Sequence, residues 1–165
     1  PETLDAFFPF GWSHDPAVDA ATIDFYLGHA ENYIGMPMLS ALLGIYAARN
    51  GNRELARDLL RDGIRDHLVE PFMQFNEVAD PHGTGYLTSP FVTCFLTNPA
   101  GFLMSVMYGL TGLHLTPDQP QAWCQRPISL PAGWDAIEIE RIFCREEEAH
   151  LIARQGDDHA TINPV

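Results

Sequence analysis

The sequence predicts a mainly α protein with a C-terminal β part. Three observations carry this: residues 36–49 and 99–110 are apolar on nearly every side, residues 53–68 between them are amphipathic, and residues 136–144 alternate with period two. An all-round apolar helix needs protein on every side, whereas an amphipathic one turns a single stripe inward. Two inner helices separated by an outer one suit layered α-hairpins, as in an α/α toroid or solenoid. No repeat at a fixed period is visible, which argues against a simple repeat array.

The elements follow in order. Phe7-Phe8-Pro9-Phe10-Gly11-Trp12 carries a Pro and a Gly that break regular structure, so it reads as a loop or short extended piece whose rings need cover. Such rings can stack on a sugar, although packing against their own domain is the commoner fate. Asp15 and Pro16 supply an N-cap and a first-turn proline, and Val18, Ala21, Thr22, Phe25 and Tyr26 recur at helical spacing until Gly28. The second helix, residues 36–49, stops at Asn50-Gly51-Asn52. There Gly51 suits a left-handed C-cap and Asn52 the next N-cap.

The third helix, residues 53–68, buries Leu55, Ala56, Leu59, Leu60, Ile64 and Leu68. Its Arg53, Arg57, Arg61 and Arg65 meet Asp58, Asp62 and Asp66 at i, i+3, where each pair adds only about 0.2–0.5 kcal/mol. This is a solvated face rather than an anion-binding row. The fourth helix, residues 99–110, follows Thr97 and Asn98, either of which could cap it. From Leu113 the prolines at 117, 120, 127 and 131 punctuate the chain, and strands are expected at 136–144, 149–153 and 159–162, the last two around a turn at 155–158. The boundary falls near Gly112, giving a helical part, 1–112, and a small β domain, 113–165, which leans on it.

With 165 residues and 46% hydrophobic content, the chain can form one ordinary core or parts of two, and no apolar run is long enough to span a bilayer. It reads as a soluble globular polypeptide. The net charge of −13, from 22 acidic residues against nine arginines and no lysine, repels phosphate backbones and anionic lipid. Nucleic acid and membrane partners are therefore not expected, and neither is a cofactor or metal. Cys94, Cys124 and Cys144 are odd in number with no Cys-x-x-Cys pair, so they read as buried small hydrophobes. Pro1 is no initiator methionine and residues 2–5 have no secretory-signal character, as in a chain that begins mid-protein. The compartment stays open.

The segment Glu70-Pro71-Phe72-Met73-Gln74-Phe75-Asn76-Glu77 sets one carboxylate among aromatic and amide side chains just after a helix. Phe72, Met73 and Phe75 suggest a partly dry, sugar-sized pocket in which Glu77 acts as a base, with Asn76 as a substrate contact. The alternative is a loop folded onto the core with Glu77 exposed.

Four segments in this order resemble the C-terminal part of glycoside hydrolase family 65: residues 35–41, the stretch ending in Glu77, residues 95–103, and residues 130–134. The resemblance covers almost the whole chain. It implies the last helices of an (α/α)6 toroid followed by a β-sandwich-like domain. In the hydrolase branch, whose enzymes remove α-linked glucose, a glutamate ending a Pro-Phe-x-x-aromatic-x-Glu motif is the general base, and Glu77 occupies that place. The phosphorylase branch dispenses with this carboxylate, so Glu77 favours water as acceptor, and the lack of lysine agrees. The chain departs from the family at Asn98-Pro99-Ala100-Gly101, where glycine-rich versions are typical, and at residues 80–92, whose His82, Gly83, Thr84 and Gly85 could form a rim tuning which sugar enters.

The implied chemistry is inversion, with an acid and a base roughly 6.5–9.5 Å apart. No residue here matches the family's general acid, so the chain alone is expected to be inactive and to need the N-terminal part of the enzyme. Glu31 and Asp80 are the available substitutes, Glu31 more plausibly as a cap or ion-pair partner. Phe10, Trp12 and His14 are candidate sugar contacts beside an α-glucoside or oligosaccharide. Apolar surface left by the inner helices would favour association, including homo-oligomers. The competing readings are a phosphorylase of the same family and a non-catalytic carbohydrate-binding or assembly module.

Overall fold

A computed structural model describes residues 2–13, 15–33, 36–70, 72–77, 94–144 and 147–165. Helix α1, Pro16–Leu27, begins where the sequence places its cap: the Asp15 carboxylate accepts from the Ala17 N–H at 2.8 Å. It ends at Gly28, as expected. None of its residues is buried. Ile23, Tyr26 and Leu27 lean on the core, whereas Val18 and Phe25 stand in the open.

Helix α2, Pro37–Arg49, is buried from Ser40 to Ala48, as its all-round apolar pattern requires. Gly51 takes φ +75°, and Asn52 Oδ1 accepts from the Leu55 N–H at 3.1 Å to start α3, Arg53–Ile64. Replacing Asn52 with Ala strands that N–H and is expected to cost about 1 kcal/mol, read as a lower urea midpoint at unchanged slope. The arginine row on α3 forms exposed i, i+3 pairs, Arg57–Glu54 at 2.6 Å and Arg61–Asp58 at 3.3 Å. It is the solvated face the spacing predicts.

The α2–α3 hairpin is tight because Gly63 lies against Ser40, where a Cβ would overlap the serine side chain. Helix α4, Thr97–Met104, and its π-helical continuation Ser105–Leu110 run alongside α2 in the same direction: Gly101 meets Ala41, Ser105 meets Gly44 and Gly109 meets Ile45. Thus α2 is the central element. Leu43, Tyr46, Ala47, Leu59 and Leu110 fill the core around it.

Two boundaries differ from expectation. Helix α3 stops at Ile64, because Arg65–His67 tightens into a 3-10 turn and Leu68–Val69 becomes strand β1, pairing antiparallel with β2, Gln74–Phe75. Helix α4 starts at Thr97 with no side-chain cap, because the N-cap position falls on Leu96, whose side chain has no acceptor.

Beyond Gly112 the chain makes a 3-10 turn, Pro120–Cys124, and an antiparallel sheet of β3, Ala136–Cys144, β4, Glu147–Arg154, and β5, Thr161–Pro164, in that order. The alternation of β4 puts Ala149, Leu151 and Ala153 on the face that packs with Trp123, Leu113 and Ile162. Gly156, at φ +96°, makes the expected β4–β5 turn. Ile128 and Ile139 touch both buried clusters and join the sheet to the helices.

The described residues therefore build a mixed α and β structure, four helices and two small antiparallel sheets, without a closed α/α ring or two sheets face to face. Among them no helix is long and apolar enough to cross a membrane. Cys124 is buried as expected, but Cys94 is exposed, at φ +56°.

Candidate functional site

The hairpin that carries Glu77 is held by buried polar groups that converge on the peptide of Asn76. The Asn76 N–H donates to the His67 carbonyl at 2.9 Å, and the Asn98 Nδ2 donates to the Asn76 carbonyl at 2.9 Å. His67 Nδ1 lies 3.2 Å from the same oxygen; a carbonyl can only accept, so that nitrogen carries the ring proton. The Phe95 N–H donates to the Phe75 carbonyl at 3.0 Å. Asn76, Asn98 and His67 are each at most 2% exposed, so these bonds are made away from water. Met73, at φ +52°, turns the chain between β1 and β2.

Glu77 is the next residue after this clamp, and it is exposed. Its exposed carboxylate therefore starts from a hydrogen-bonded peptide. The alternative reading of this segment, a loop folded onto the core with an exposed acid, describes the geometry. Among the described residues the apolar neighbours of Glu77 do not enclose it: Phe72 is 79% and Met73 52% exposed, and Phe75 is half-buried. Asn76 is fully buried and its peptide is the anchor, so in this structure it positions the hairpin and presents no surface to a sugar.

Phe10 and Trp12 lie elsewhere. They line a cavity of about 750 Å³ with Arg49, Tyr108 and Arg126, at the C-terminal end of α2. The Glu77 hairpin follows the end of α3 that lies against the start of α2, through the Gly63–Ser40 contact. A 13-residue helix, roughly 20 Å long, separates the two places. These rings and Glu77 are not brought together. Glu31 is exposed on the 3-10 turn Ala30–Tyr33. His14, Pro71, Asp80 and residues 82–85 lie outside the described residues.

His67 and Asn98 were not legible as site residues, since no local spacing signals that an amide 22 positions away will satisfy the Asn76 carbonyl. Among the described residues, no group of three or more His, Cys, Asp or Glu side chains could hold a metal. The arrangement offers one exposed carboxylate next to a hydrogen-bonded peptide, able to accept a proton or a hydrogen bond.

Similarity to known proteins bears on what that is. The chain is 27% identical over 132 residues to a kojibiose hydrolase of Mucilaginibacter mallensis, covering 80% of this chain and 18% of the hydrolase. It is 30% identical over 111 residues to a periplasmic/secreted acid trehalase of Candida glabrata, covering 65% of this chain and 9% of the trehalase. It is 27% identical over 163 residues to a periplasmic acid trehalase of Saccharomyces cerevisiae, covering 92% of this chain and 13% of that protein. The chain thus spans less than a fifth of each relative's length. These relatives are glycoside hydrolases, and the similarity supports a glycosidase-like segment. No family model and no solved structure matches.

Proposed function

We propose that this chain is the C-terminal segment of an inverting α-glucoside hydrolase resembling family 65, in which Glu77 is the general base. The observation that carries the reading is the coincidence of a carboxylate at the family's base position with a buried clamp that fixes its peptide. Similarity to a kojibiose hydrolase and two trehalases supports a hydrolase over a phosphorylase. Residues 1–112 would be the last part of an α/α barrel, and residues 113–165 a small β domain.

In the reaction, Glu77 takes a proton from water as the water oxygen bonds to the anomeric carbon. The glycosidic C–O bond breaks on the opposite face, and its oxygen is protonated by a carboxylic acid. That acid, and the walls that dry the site, come from parts of a longer polypeptide, against which the exposed Phe72, Met73 and Leu96 would pack. The 165 residues alone should then be inactive.

Proton NMR of the first sugar released by an active polypeptide containing this segment tests the mechanism. Attack by water from the opposite face yields the β anomer before mutarotation. The α anomer appearing first would exclude inversion, and release of a sugar 1-phosphate only when inorganic phosphate is present would favour the phosphorylase reading.

A further inference from the structure

The cavity at the C-terminal end of α2 gathers two arginines, Arg49 and Arg126, with the carboxylate of Asp19 also in its lining. Arg49 closes α2, with its guanidinium carbon 4.8 Å from the Phe8 ring centroid and 5.9 Å from that of Tyr46. Its Nε is buried without a hydrogen-bond partner among the described residues. Arg126, from the loop after the 3-10 turn Pro120–Cys124, lines the same cavity, as does His114. Among the described residues neither guanidinium has a carboxylate within ion-pair distance, whereas Arg57, Arg61, Arg65, Arg141 and Arg154 all do.

That arrangement is costly unless something answers it. Burial first, and then the charge of Arg126, bring the Arg49 guanidinium down to about 10. Burial likewise lowers Arg126, and His114 is held below its usual value by burial and by both arginines. In a chain of net charge −13, two partly buried arginines lining one cavity call for an anion. The α2 C-terminal dipole accounts for one cation there but not for a second from a distant loop. Tyr46 is already committed, its hydroxyl donating to the Leu4 carbonyl at 2.7 Å. Asp19 sits on the rim, where it accepts from the Ser13 hydroxyl.

The size and walls narrow the ligand. About 750 Å³ is far more than a bare inorganic ion needs and falls within the range of roughly 300–1,000 Å³ typical of small-molecule sites. Phe8, Trp12 and Tyr108 line the same cavity as the two guanidinium groups. Paired guanidinium forks match the oxygens of a carboxylate or phosphate.

We propose that this cavity binds a small organic anion, its carboxylate or phosphate between Arg49 and Arg126 and its ring or apolar body against Phe8 and Trp12. The site is separate from Glu77 and does not depend on the hydrolase reading.

Calorimetric titration of the 165-residue chain with phenyl phosphate, benzoate and benzyl alcohol tests it, since the three share a ring and differ in the charged group. At least one anion should bind saturably and at least tenfold more tightly than the neutral alcohol; the tighter of the two identifies phosphate or carboxylate as the preferred head group. Arg126→Gln should weaken that binding at least tenfold while leaving the thermal melt intact, and Arg49→Met with Arg126→Gln should abolish it. Should Arg49→Met fail to fold, Arg126→Gln on its loop decides alone. Anions no tighter than benzyl alcohol, or a folded Arg126→Gln that binds as the parent does, would overturn the proposal.

Discussion

Replacing Glu77 with Gln is expected to lower hydrolysis by an active polypeptide containing this segment about 10²–10⁴-fold in kcat, with little change in KM. The amide keeps the size and shape of the carboxylate but cannot take the proton of the attacking water. Because the peptide of Asn76 is tied to His67 and Asn98, the substituted side chain should stay where the carboxylate was. Glu77 is exposed, so the same substitution should change stability by no more than about 0.5 kcal/mol. A large loss of rate at an unchanged melting temperature therefore separates a chemical role from a structural one. Glu77→Asp adds a second reading: it keeps the charge but draws it back by one methylene, and a displacement near 1 Å costs on the order of 10²-fold. Activity within a few-fold of the parent for the Gln variant would remove Glu77 from the mechanism.

What could be read from the sequence was local. The Asp15 cap, the Gly51-Asn52 restart and the alternation of β4 rest on residues one to four positions apart, and they appear where the spacing puts them. The tight approach of α2 to its neighbours left a quieter trace, in glycines at 44, 63, 101 and 109 that read as ordinary interruptions until their partners are known. The site was legible only as far as its chemistry is local. A glutamate after an aromatic and amide run could be singled out, but the clamp beneath it joins His67, Asn76 and Asn98 across as many as 31 positions (98 − 67 = 31). Phe10 and Trp12 have the composition of a sugar platform. The fold sends them to the other end of α2, beside an arginine pair 77 positions apart in the chain (126 − 49 = 77).

Gly112→Ala is expected to destabilise the chain by about 3 kcal/mol or more, a fall in melting temperature of roughly 6–12 °C. Gly112 has φ +72°, and a Cβ there would lie 2.5 Å from the Arg126 carbonyl oxygen and 2.8 Å from that of Pro127. Both obstacles are backbone, so neither can rotate away. The surrounding chain has little room to yield: Leu110, Thr111 and Leu113 are at most 1% exposed, and the Ser129 N–H donates to the Leu110 carbonyl at 2.8 Å. Gly51→Ala is the natural control. It has a similar φ of +75° with nothing within 4 Å of the added methyl, so it should pay only the left-handed backbone cost of about 1–2 kcal/mol. Equal losses in the two variants would show that the packing against residues 126 and 127 contributes nothing. A larger loss at Gly112 carries a further consequence, because this residue lies where the helical core passes to the β core. If Ile128 and Ile139 couple the two clusters, the far-UV helical signal and the fluorescence of Trp123, read with Trp12 and Trp134 replaced by Phe, should fall together in the variant; separate transitions would mean that the junction at Gly112 is what makes them one cooperative unit.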